Sequence, residues 1–398
     1  MLKVLADILR AVDGGDIALL TLLDLSAALD TVDHATLLQR LESSYGLGGH
    51  VHDWFVSYLS DRTQFVRCNG AASRPTAVLC GVPQGSVLGP ILFLLYTADL
   101  LQLIKRHRLS PHLFADDTQI YGFCPPDDAS QLQNRLSGCI NDVADWMRSN
   151  RLQLNTAKTE VLWCSSARRQ HQIPSVAVSV GADAVKPSRH VRDLGIHLDC
   201  DLSMRTHVSK TVSACFAALR QIKSIRRSVT RPVLTSLVVT LVLTRLDYGS
   251  VTLAGLPERQ LSRLQSVINA AARLIFQAGK FDHITPLLRE LHWLRIRERI
   301  DFRLVVLTFR CLHGLVPPYL ANELQLVSDV ESRRRLRSAD RQQLVVPISK
   351  RKTLGDRAFS VAAPRVWNGL SPATTSLQSL PAFRQALKTE LFSRSFRD

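Results

Sequence analysis

Residues 109–123 read LSPHLFADDTQIYGF, in which two adjacent carboxylates, Asp116 and Asp117, separate two strand-like segments. The segments 109–115 and 118–123 predict a hairpin with this pair of aspartates at its tip. Adjacent carboxylates in a tight turn repel each other, so the arrangement is costly unless a cation neutralises the two charges. An isolated Asp-Asp turn is more often only a solvent-facing turn, and the surrounding sequence has to decide between the two interpretations.

A third aspartate follows another strand-like segment upstream. Residues 17–23 form a short apolar run that ends at Asp24, as expected for a buried strand with a polar residue at its C-terminal end. Carboxylate oxygens are the ligands that Mg²⁺ prefers, usually together with phosphates of a substrate. Two such ions about 3.5–4 Å apart would activate a hydroxyl group and stabilise a leaving pyrophosphate in an in-line displacement.

The first 165 residues alternate between helical and strand-like patterns, which predicts a mixed α/β unit. A helix capped by Asp33 should extend through Leu41, and residues 81–86 (GVPQGS) form a loop rich in helix-breaking residues. Further elements are predicted at 51–59 (helix), at 64–68 and 76–79 (a hairpin around Asn69-Gly70), at 87–103 and 127–150 (helices), and at 159–164, 176–180 and 191–198 (strands). From about residue 203 the hydrophobic period is helical, which predicts helices at 214–225, 233–245, 261–278 and 296–312 and a final helix from Pro381.

The net charge of +16 is carried by the second part of the chain. Residues 1–165 contain 13 basic and 17 acidic side chains, whereas residues 166–398 contain 37 basic and 17 acidic ones, a net charge of +20. Arginine supplies 40 of the 50 basic residues, and its planar guanidinium group can bind a phosphate through two parallel hydrogen bonds. The pattern favours a nucleic-acid partner, although helices merely solvated by basic side chains would give the same composition.

The composition of the 398 residues excludes several other classes of protein. With 46% hydrophobic and 21% charged residues the chain can form a folded core. Its eight cysteines stand singly, which supports neither a zinc module nor a disulfide framework. The N-terminus lacks the cleavage site of a signal peptide, and the apolar runs at 90–104 and 233–246 fall short of the about 20 residues of a membrane-spanning helix. We therefore expect an intracellular protein, nuclear or cytoplasmic, without a membrane segment.

Three segments, in the order found here, closely resemble motifs A, B and C of reverse transcriptases. They are residues 23–34 (LDLSAALDTVDH), 81–90 (GVPQGSVLGP) and 114–117 (FADD). The resemblance is closest to enzymes of LINE-type, non-LTR retrotransposons of the jockey and chicken-repeat lineages. Residues 150–160 (NRLQLNTAKTE) resemble motif D, and Leu194-Gly195-Ile196 resembles motif E, the primer grip. Tyr248-Gly249 and residues 254–257 (AGLP) resemble the region that follows the polymerase in such elements.

The resemblance implies the α/β palm of a right-hand polymerase, an antiparallel sheet packed on helices, followed by a mainly α thumb and C-terminal region. It implies an RNA-directed DNA polymerase that uses two Mg²⁺ ions, for which Mn²⁺ can substitute, with an RNA template, a DNA primer and dNTPs as partners. The implied catalytic residues are Asp24, Asp116 and Asp117, which would also bind the metal, and Lys158, which would protonate the leaving pyrophosphate. Template and nucleotide would contact Leu25, Leu29, Pro83, Gln84, Gly85 and Phe114, and the primer grip would include Leu194 and Gly195.

The resemblance also implies domain boundaries. We expect a palm without fingers at 1–200, a helical thumb and connection at 201–330, a basic linker at 331–355 that includes Arg333 to Arg337, and a small C-terminal helical segment at 356–398.

Two positions and the start of the chain depart from the family's pattern. Leu29 stands where the family has Phe or Tyr as the gate against ribonucleotides, and Phe114 stands where Tyr is commoner. The family has basic fingers upstream of motif A, which begins here at residue 23, so we expect the fingers to be missing. We therefore expect an N-terminally truncated chain with little activity by itself. The alternatives are a non-catalytic basic nucleic-acid-binding protein and a translated pseudogene remnant. The copied RNA and the oligomeric state stay open.

Overall fold

The computed structural model describes residues 1–181, 183–330 and 342–396. The strands are β1 (Ile17–Ser26), β2 (Thr63–Gln64), β3 (Arg67–Cys68), β4 (Ala71–Ala72), β5 (Thr76–Ala77), β6 (Ser110–Phe114), β7 (Asp117–Cys124), β8 (Gln153–Cys164), β9 (Val178–Val180), β10 (Asp183–Val185), β11 (His190–Asp193) and β12 (Ile196–Asp199). The helices are α1 (Leu2–Gly14), α2 (His34–Ser43), α3 (His50–Leu59), α4 (Leu88–Thr97), α5 (Leu100–Arg106), α6 (Ala129–Ser149), α7 (Arg205–Ile225), α8 (Arg231–Val238), α9 (Thr244–Asp247), α10 (Glu258–Phe276), α11 (Ile284–Glu290), α12 (Ile296–Leu312), α13 (Pro318–Ala321), α14 (Phe359–Asn368), α15 (Pro372–Thr375) and α16 (Leu380–Ser395).

The chain divides into two compact units. The sheet unit comprises Ile17–Cys164 and His171–Val191, and the helical unit comprises Met1–Asp16, Ser165–Gln170 and the described residues from Arg192 onward. This division differs from the expected boundary at residue 200, because α1 and a short stretch after β8 belong to the helical unit. Eleven residues of the expected basic linker, 331–341, lie outside the described residues, and Arg333 to Arg337 are among them.

The sheet unit is built on a four-stranded antiparallel sheet in the order β6-β7-β1-β8. Strand β1 lies between β7 and β8, and its first five residues are buried, which explains why they read as a continuous apolar run rather than an alternating one. Helix α6 contributes one apolar face to the core, with Leu132, Leu136, Ile140 and Val143 buried. The predicted mixed α/β unit is confirmed for this part of the chain.

Arg40 on α2 links three helices of the sheet unit. Its Nη2 donates a 2.7 Å hydrogen bond to Oδ1 of Asn150, and its guanidinium group stands over the rings of Tyr96 and Trp146. The hydroxyl group of Tyr96 donates a 2.7 Å hydrogen bond to the carbonyl of Asn150. Asp33 caps α2 as predicted, since its carboxylate accepts a hydrogen bond from the backbone N–H of Thr36.

The apolar segment after residue 86 differs from the single helix predicted at 87–103. It forms two helices, α4 and α5. At the junction of these helices, the carbonyl groups of Ala98 and Asp99 accept hydrogen bonds typical of a turn. Within the described residues, Leu88–Arg106 is the one helical stretch that is long and apolar enough to cross a membrane, judged by length and composition alone, with 39% of it buried. The core helices of soluble proteins pass the same test, and Leu92, Phe93 and Tyr96 lie in the core of the sheet unit.

The helical unit follows the helical period predicted after residue 203. Helices α7, α10, α12 and α16 correspond to four of the predicted segments, whereas the helix predicted at 233–245 is divided into α8, a π-helical turn (Val239–Leu243) and α9. Phe309, Trp367, Phe383 and Leu387 form the centre of one of the cores of this unit. Residues 191–198, predicted as one strand, instead form β11 and β12 with a turn between them. The reason is a pair of left-handed backbone conformations, at Leu194 (φ 45°) and Gly195 (φ 82°), which reverse the chain.

The carboxylate of Asp13 on α1 holds a later segment of the helical unit in place. Asp13 is 6% exposed and accepts hydrogen bonds of 2.7 Å from the backbone N–H groups of both Lys350 and Arg351. A side chain at Gly355 would meet this carboxylate, so only glycine allows the approach. The described end of the expected linker is therefore anchored on the first helix.

Candidate active site

The structure brings the three predicted aspartates to one end of two neighbouring strands. Asp24 lies near the end of β1, and Asp117 is the first residue of β7, which pairs with β1 up to the partners Leu23 and Thr118. Asp116 lies in the two-residue turn that joins β6 to β7. Ala115, its neighbour in this turn, adopts a left-handed conformation with φ 53°. The hairpin predicted from residues 109–123 is thus present, with the acidic pair at its tip.

A bulge in the sheet lies beside Asp24. On the β8 side, Leu22 pairs with Glu160 but Asp24 pairs with Asn155, so residues 156–159 lie opposite a single residue of β1. Such irregularities redirect side chains and are frequent next to active sites. Here Nζ of Lys158 lies 3.4 Å from Oδ2 of Asp24.

The carboxylates influence one another electrostatically. The pKa of the Asp117 carboxyl is raised above its usual range, first by burial and then by the negative charges of Asp116 and Asp24. Oδ2 of Asp24 is buried and accepts no hydrogen bond from the described residues, although the Lys158 ammonium is near. Repelling oxygens and an unsatisfied acceptor are what a hard cation would relieve. In the described parts of the chain, however, no three His, Cys, Asp or Glu side chains are arranged closely enough to hold a metal ion as they stand.

The loop Gly81–Ser86 is fastened to the segment that follows β1. The backbone N–H of Gly81 donates a 2.7 Å hydrogen bond to the carbonyl of Val32, and that of Val82 donates one of 2.8 Å to the carbonyl of Leu29. Gly81 has φ 88°, and a Cβ atom there would lie 2.8 Å from the backbone oxygen of Asp30. Motifs that are about 50 residues apart in the sequence are thus held together by backbone contacts that only glycine permits.

The exposed part of this loop presents an amide and an open backbone. Nε2 of Gln84 donates a 2.7 Å hydrogen bond to Oδ1 of Asp30. Gly85 is exposed with φ 76°, and a Cβ atom added there would meet no described residue within 4 Å, so its backbone is open to a ligand. Pro83 is half-buried, and its carbonyl accepts a 2.7 Å hydrogen bond from the hydroxyl group of Ser86. Asp30 was not among the predicted site residues, although it stands only six residues after Asp24.

The apolar residues predicted for the site differ in exposure. Leu25 is buried, Leu29 is half-buried against the core of the sheet unit, and the Phe114 side chain beside the acidic turn is 60% exposed. The side chain of Phe114 is therefore the most exposed of the three, whereas that of Leu29 is only partly accessible.

Leu194 and Gly195 belong to the helical unit and form the turn between β11 and β12. The hydroxyl group of Tyr248 donates a 2.7 Å hydrogen bond to the carbonyl of Leu194, and a Cβ atom on Gly195 would lie 3.0 Å from the Tyr248 ring. A Cβ atom on Gly249, the residue after Tyr248, would lie 2.6 Å from the side chain of Ile196. Two motifs that the sequence shows separately, Leu194-Gly195-Ile196 and Tyr248-Gly249, thus form one packed contact.

Comparisons with known proteins agree with the motifs. Residues 9–198 match the family model of reverse transcriptase (RNA-dependent DNA polymerase). The chain is 27% identical over 304 residues to the probable RNA-directed DNA polymerase from transposon BS of Drosophila melanogaster, a match that covers 74% of this chain and 33% of that protein. It is 26% identical over 308 residues to the corresponding protein of the Drosophila melanogaster transposon X-element, covering 75% and 33%. The polymerase of the Drosophila melanogaster mobile element jockey is 24% identical over 211 residues, covering 52% and 22%.

Among solved structures, telomerase from Candida albicans in complex with a fragment of telomeric RNA matches at 13% identity and a TM-score of 0.34, covering 72% of this chain and 47% of that one. The chain spans about a third of the length of the curated relatives from the BS and X elements.

The antiparallel sheet, its helices and the family match define a polymerase fold. Residues 9–198 are a reverse transcriptase domain, and the relatives of the chain are RNA-directed DNA polymerases of LINE-type mobile elements. The resemblance based on motifs A, B and C is confirmed.

Proposed function

We propose that the chain carries out RNA-templated DNA synthesis by nucleotidyl transfer at the cluster formed by Asp24, Asp116 and Asp117. The observation that carries the proposal is the meeting of these carboxylates at one end of β1 and β7, where burial and then the charges of Asp116 and Asp24 raise the pKa of Asp117. Carboxylates from different strands that repel one another are suited to a divalent cation that also binds phosphate.

The carboxylate oxygens of the three aspartates are ligands of the type that Mg²⁺ prefers, and Mn²⁺ would be a substitute. Asp24 and Asp116 would be the main ligands, helped by the carbonyl of Leu25, and Asp117 would lie near the primer terminus. When bound, the ions would lower the pKa of the primer hydroxyl and neutralise charge on the leaving group. Oδ2 of Asp24 supports this role, because this buried oxygen accepts no hydrogen bond from the described residues and has only the exposed Lys158 ammonium, at 3.4 Å, as a counter-charge.

Lys158 is proposed to donate a proton to the leaving pyrophosphate. The side chain is 69% exposed, and its ammonium lies 3.4 Å from Asp24, so it can approach phosphate oxygens while its charge stays near the carboxylates. A positioned general acid of this kind contributes typically about 10²–10⁴-fold to a rate.

Template and incoming nucleotide are proposed to contact the loop after β5 and the residues around β1. The side-chain amide of Gln84 and the open backbone of Gly85 would contact the template and the nucleotide. Pro83 would fix the turn that leads into these two residues. Leu29 would occupy the position of the gate against ribonucleotides. Because leucine is smaller than Phe or Tyr and not planar, we expect weak discrimination against rNTPs.

The finer architecture follows from the same proposal. The sheet unit would be the palm and the helical unit, with its basic surface, the thumb and the region that follows it. The turn of Leu194 and Gly195, supported by Tyr248, would be the primer grip. The partners would be an RNA template, a DNA primer and dNTPs.

The test is primer extension on an RNA template with Mg²⁺ by the 398-residue chain and by Asp24→Asn and Asp116→Asn. Asp53→Asn, an exposed acidic residue on α3, is the matched control. We expect each site variant to lose extension at least about 100-fold and to lose Mn²⁺ binding measured by electron paramagnetic resonance, while the control keeps both. Extension retained by both site variants would refute the proposal.

A second candidate function is binding of nucleic acid without catalysis. The net charge of +20 on residues 166–398 favours it. Tight, salt-sensitive binding of a template–primer duplex without any extension by the unaltered chain would favour this candidate over the first.

A further inference from the structure

The helical unit contains a cavity of about 990 Å³ whose walls are unusually rich in arginine. Its lining comes from residues 166–169, 201–205, 257–263 and 351–357, and includes seven arginines but a single carboxylate, Asp201. The volume lies at the upper end of the about 300–1,000 Å³ that is usual for ligand sites. None of the residues proposed above for catalysis lines it.

Arg357 is the buried centre of this wall. The residue is 6% exposed, and Nη1 donates a 2.6 Å hydrogen bond to the carbonyl of Leu202. Nε and Nη2 are buried and have no hydrogen-bond partner among the described residues. Gly255 makes room for the side chain, because a Cβ atom there would lie 2.8 Å from Cγ of Arg357. A buried guanidinium group with two donors that the described residues leave unused can bind an acceptor, such as a water molecule or an anion, that the chain does not supply.

The other arginines of the wall leave most of the positive charge uncompensated. Arg205 forms an ion pair of 2.6 Å with Asp201. Arg351 donates a 2.7 Å hydrogen bond to the carbonyl of Val12, and Arg169 donates to the carbonyl of Gly15, so both are oriented without being neutralised. Arg168, Arg259 and Arg263 are exposed, and none of the three forms an ion pair with a carboxylate in the described ranges.

We propose that this cavity binds phosphate groups of a single nucleic-acid strand through Arg357 and the exposed arginines around it. Guanidinium groups present several donors in a plane and match phosphate oxygens in pairs. A strand is the favoured source of the phosphates because the cavity opens among exposed arginines in the part of the chain with a net charge of +20, so successive phosphates can be contacted. The choice of nucleic acid rests on the proposed function, whereas the anion site rests on the cavity alone.

The test measures binding of fluorescein-labelled 12-nucleotide RNA and DNA strands to the full chain by anisotropy, in EDTA and over a range of salt concentrations. The variant combines Arg168→Gln, Arg259→Gln and Arg263→Gln. The control combines Arg220→Gln, Arg227→Gln and Arg384→Gln, three exposed arginines that do not line the cavity. If three phosphate contacts are lost, the slope of log K against log salt becomes shallower by about 2 for the cavity variant and stays unchanged for the control.

Equal losses in the two triple variants, or no loss in either, would overturn the proposal, because binding would then be spread over the surface or lie elsewhere. Inorganic pyrophosphate should displace both strands from the unaltered chain. Weaker displacement from Arg357→Lys would support the buried arginine as part of the site. Pyrophosphate that raises the melting temperature without competing with a strand would overturn the choice of a strand in favour of a small phosphate compound.

The two proposals fail separately. A chain that carries Asp24→Asn and Asp116→Asn should bind the strands with an unchanged salt slope even though it cannot extend a primer. Loss of the slope in this chain would overturn the cavity as an independent site.

Discussion

Replacement of Arg357 by methionine should stabilise the chain in the absence of a ligand. The pKa of the Arg357 guanidinium is lowered to about 10 by burial, an effect that the charge of Asp201 opposes. At pH 7 the group is charged in the folded and the unfolded chain, so the full cost of burying this charge, about 3 kcal/mol, is present. The cost should disappear only as the pH rises above about 10, the pKa in the folded chain, because the unfolded chain keeps the proton to a higher pH.

The substitution also removes a favourable contact. The hydrogen bond of Nη1 to the carbonyl of Leu202 has a charged donor and contributes about 1.5 kcal/mol. Methionine is unbranched and can follow the path of the arginine stem past Gly255. The balance is a gain of about 1–2 kcal/mol in the free energy of unfolding.

Urea unfolding at pH 7, followed by tryptophan fluorescence, measures this change as a higher midpoint with an unchanged slope. Arg259→Met, an exposed residue of the same cavity, is the control and should change the midpoint little. Pyrophosphate should raise the midpoint of the unaltered chain more than that of Arg357→Met. A loss of more than about 1 kcal/mol in Arg357→Met would refute the reasoning, because it would show that the buried charge is already satisfied within the chain.

Three further predictions concern stability and are all measured by urea unfolding. Asp13→Ala should cost about 3 kcal/mol, because two backbone N–H groups lose a charged acceptor at 2.7 Å, and Asp13→Asn should recover part of the loss. Gly81→Ala should lower the free energy of unfolding by about 2–4 kcal/mol, because the new Cβ atom would meet the backbone of Asp30. Gly70 has a similar φ of 84° but open space around it, so Gly70→Ala should cost only the backbone strain. Equal losses in the two variants would contradict the steric explanation. Burial lowers the pKa of His207 to about 4, so below about pH 6.5 the unfolded chain binds a proton that the folded chain does not. The free energy of unfolding should therefore be highest above about pH 6.5 and fall by about 3 kcal/mol towards pH 4. His207→Gln should flatten this dependence, and an unchanged pH profile in the variant would exclude His207 as its source.

The sequence predicted the elements best where one pattern dominates. The apolar run of β1, the hairpin that carries Asp116 and Asp117, and the helical period after residue 203 are all present. The prediction from sequence was wrong where the backbone conformation interrupts a pattern of side chains. The stretch 191–198 was predicted as one strand, because the left-handed conformation of Leu194 that interrupts it leaves no signal in the side chain.

The candidate site shows the same division. Motifs A, B and C predicted Asp24, Asp116, Gln84 and Gly85 as candidate site residues, because short patterns of carboxylates and glycines are visible in the residue types alone. The hydrogen bond between Gln84 and Asp30 and the bulge at Lys158 depend on how separate segments are aligned, which no local pattern contains.

The sequence by itself determined that the chain carries a reverse transcriptase domain and an arginine-rich second half, because motif residues and charge are properties of the residues themselves. Only the tertiary structure decided which of these residues meet. It placed α1 with the C-terminal segments through Asp13, joined the turn of Leu194 to Tyr248, and buried Arg357 with two unused donors among exposed arginines. The physical reason is that burial and hydrogen bonding are set by contacts between residues far apart in the chain, and those contacts form only when the whole core is packed.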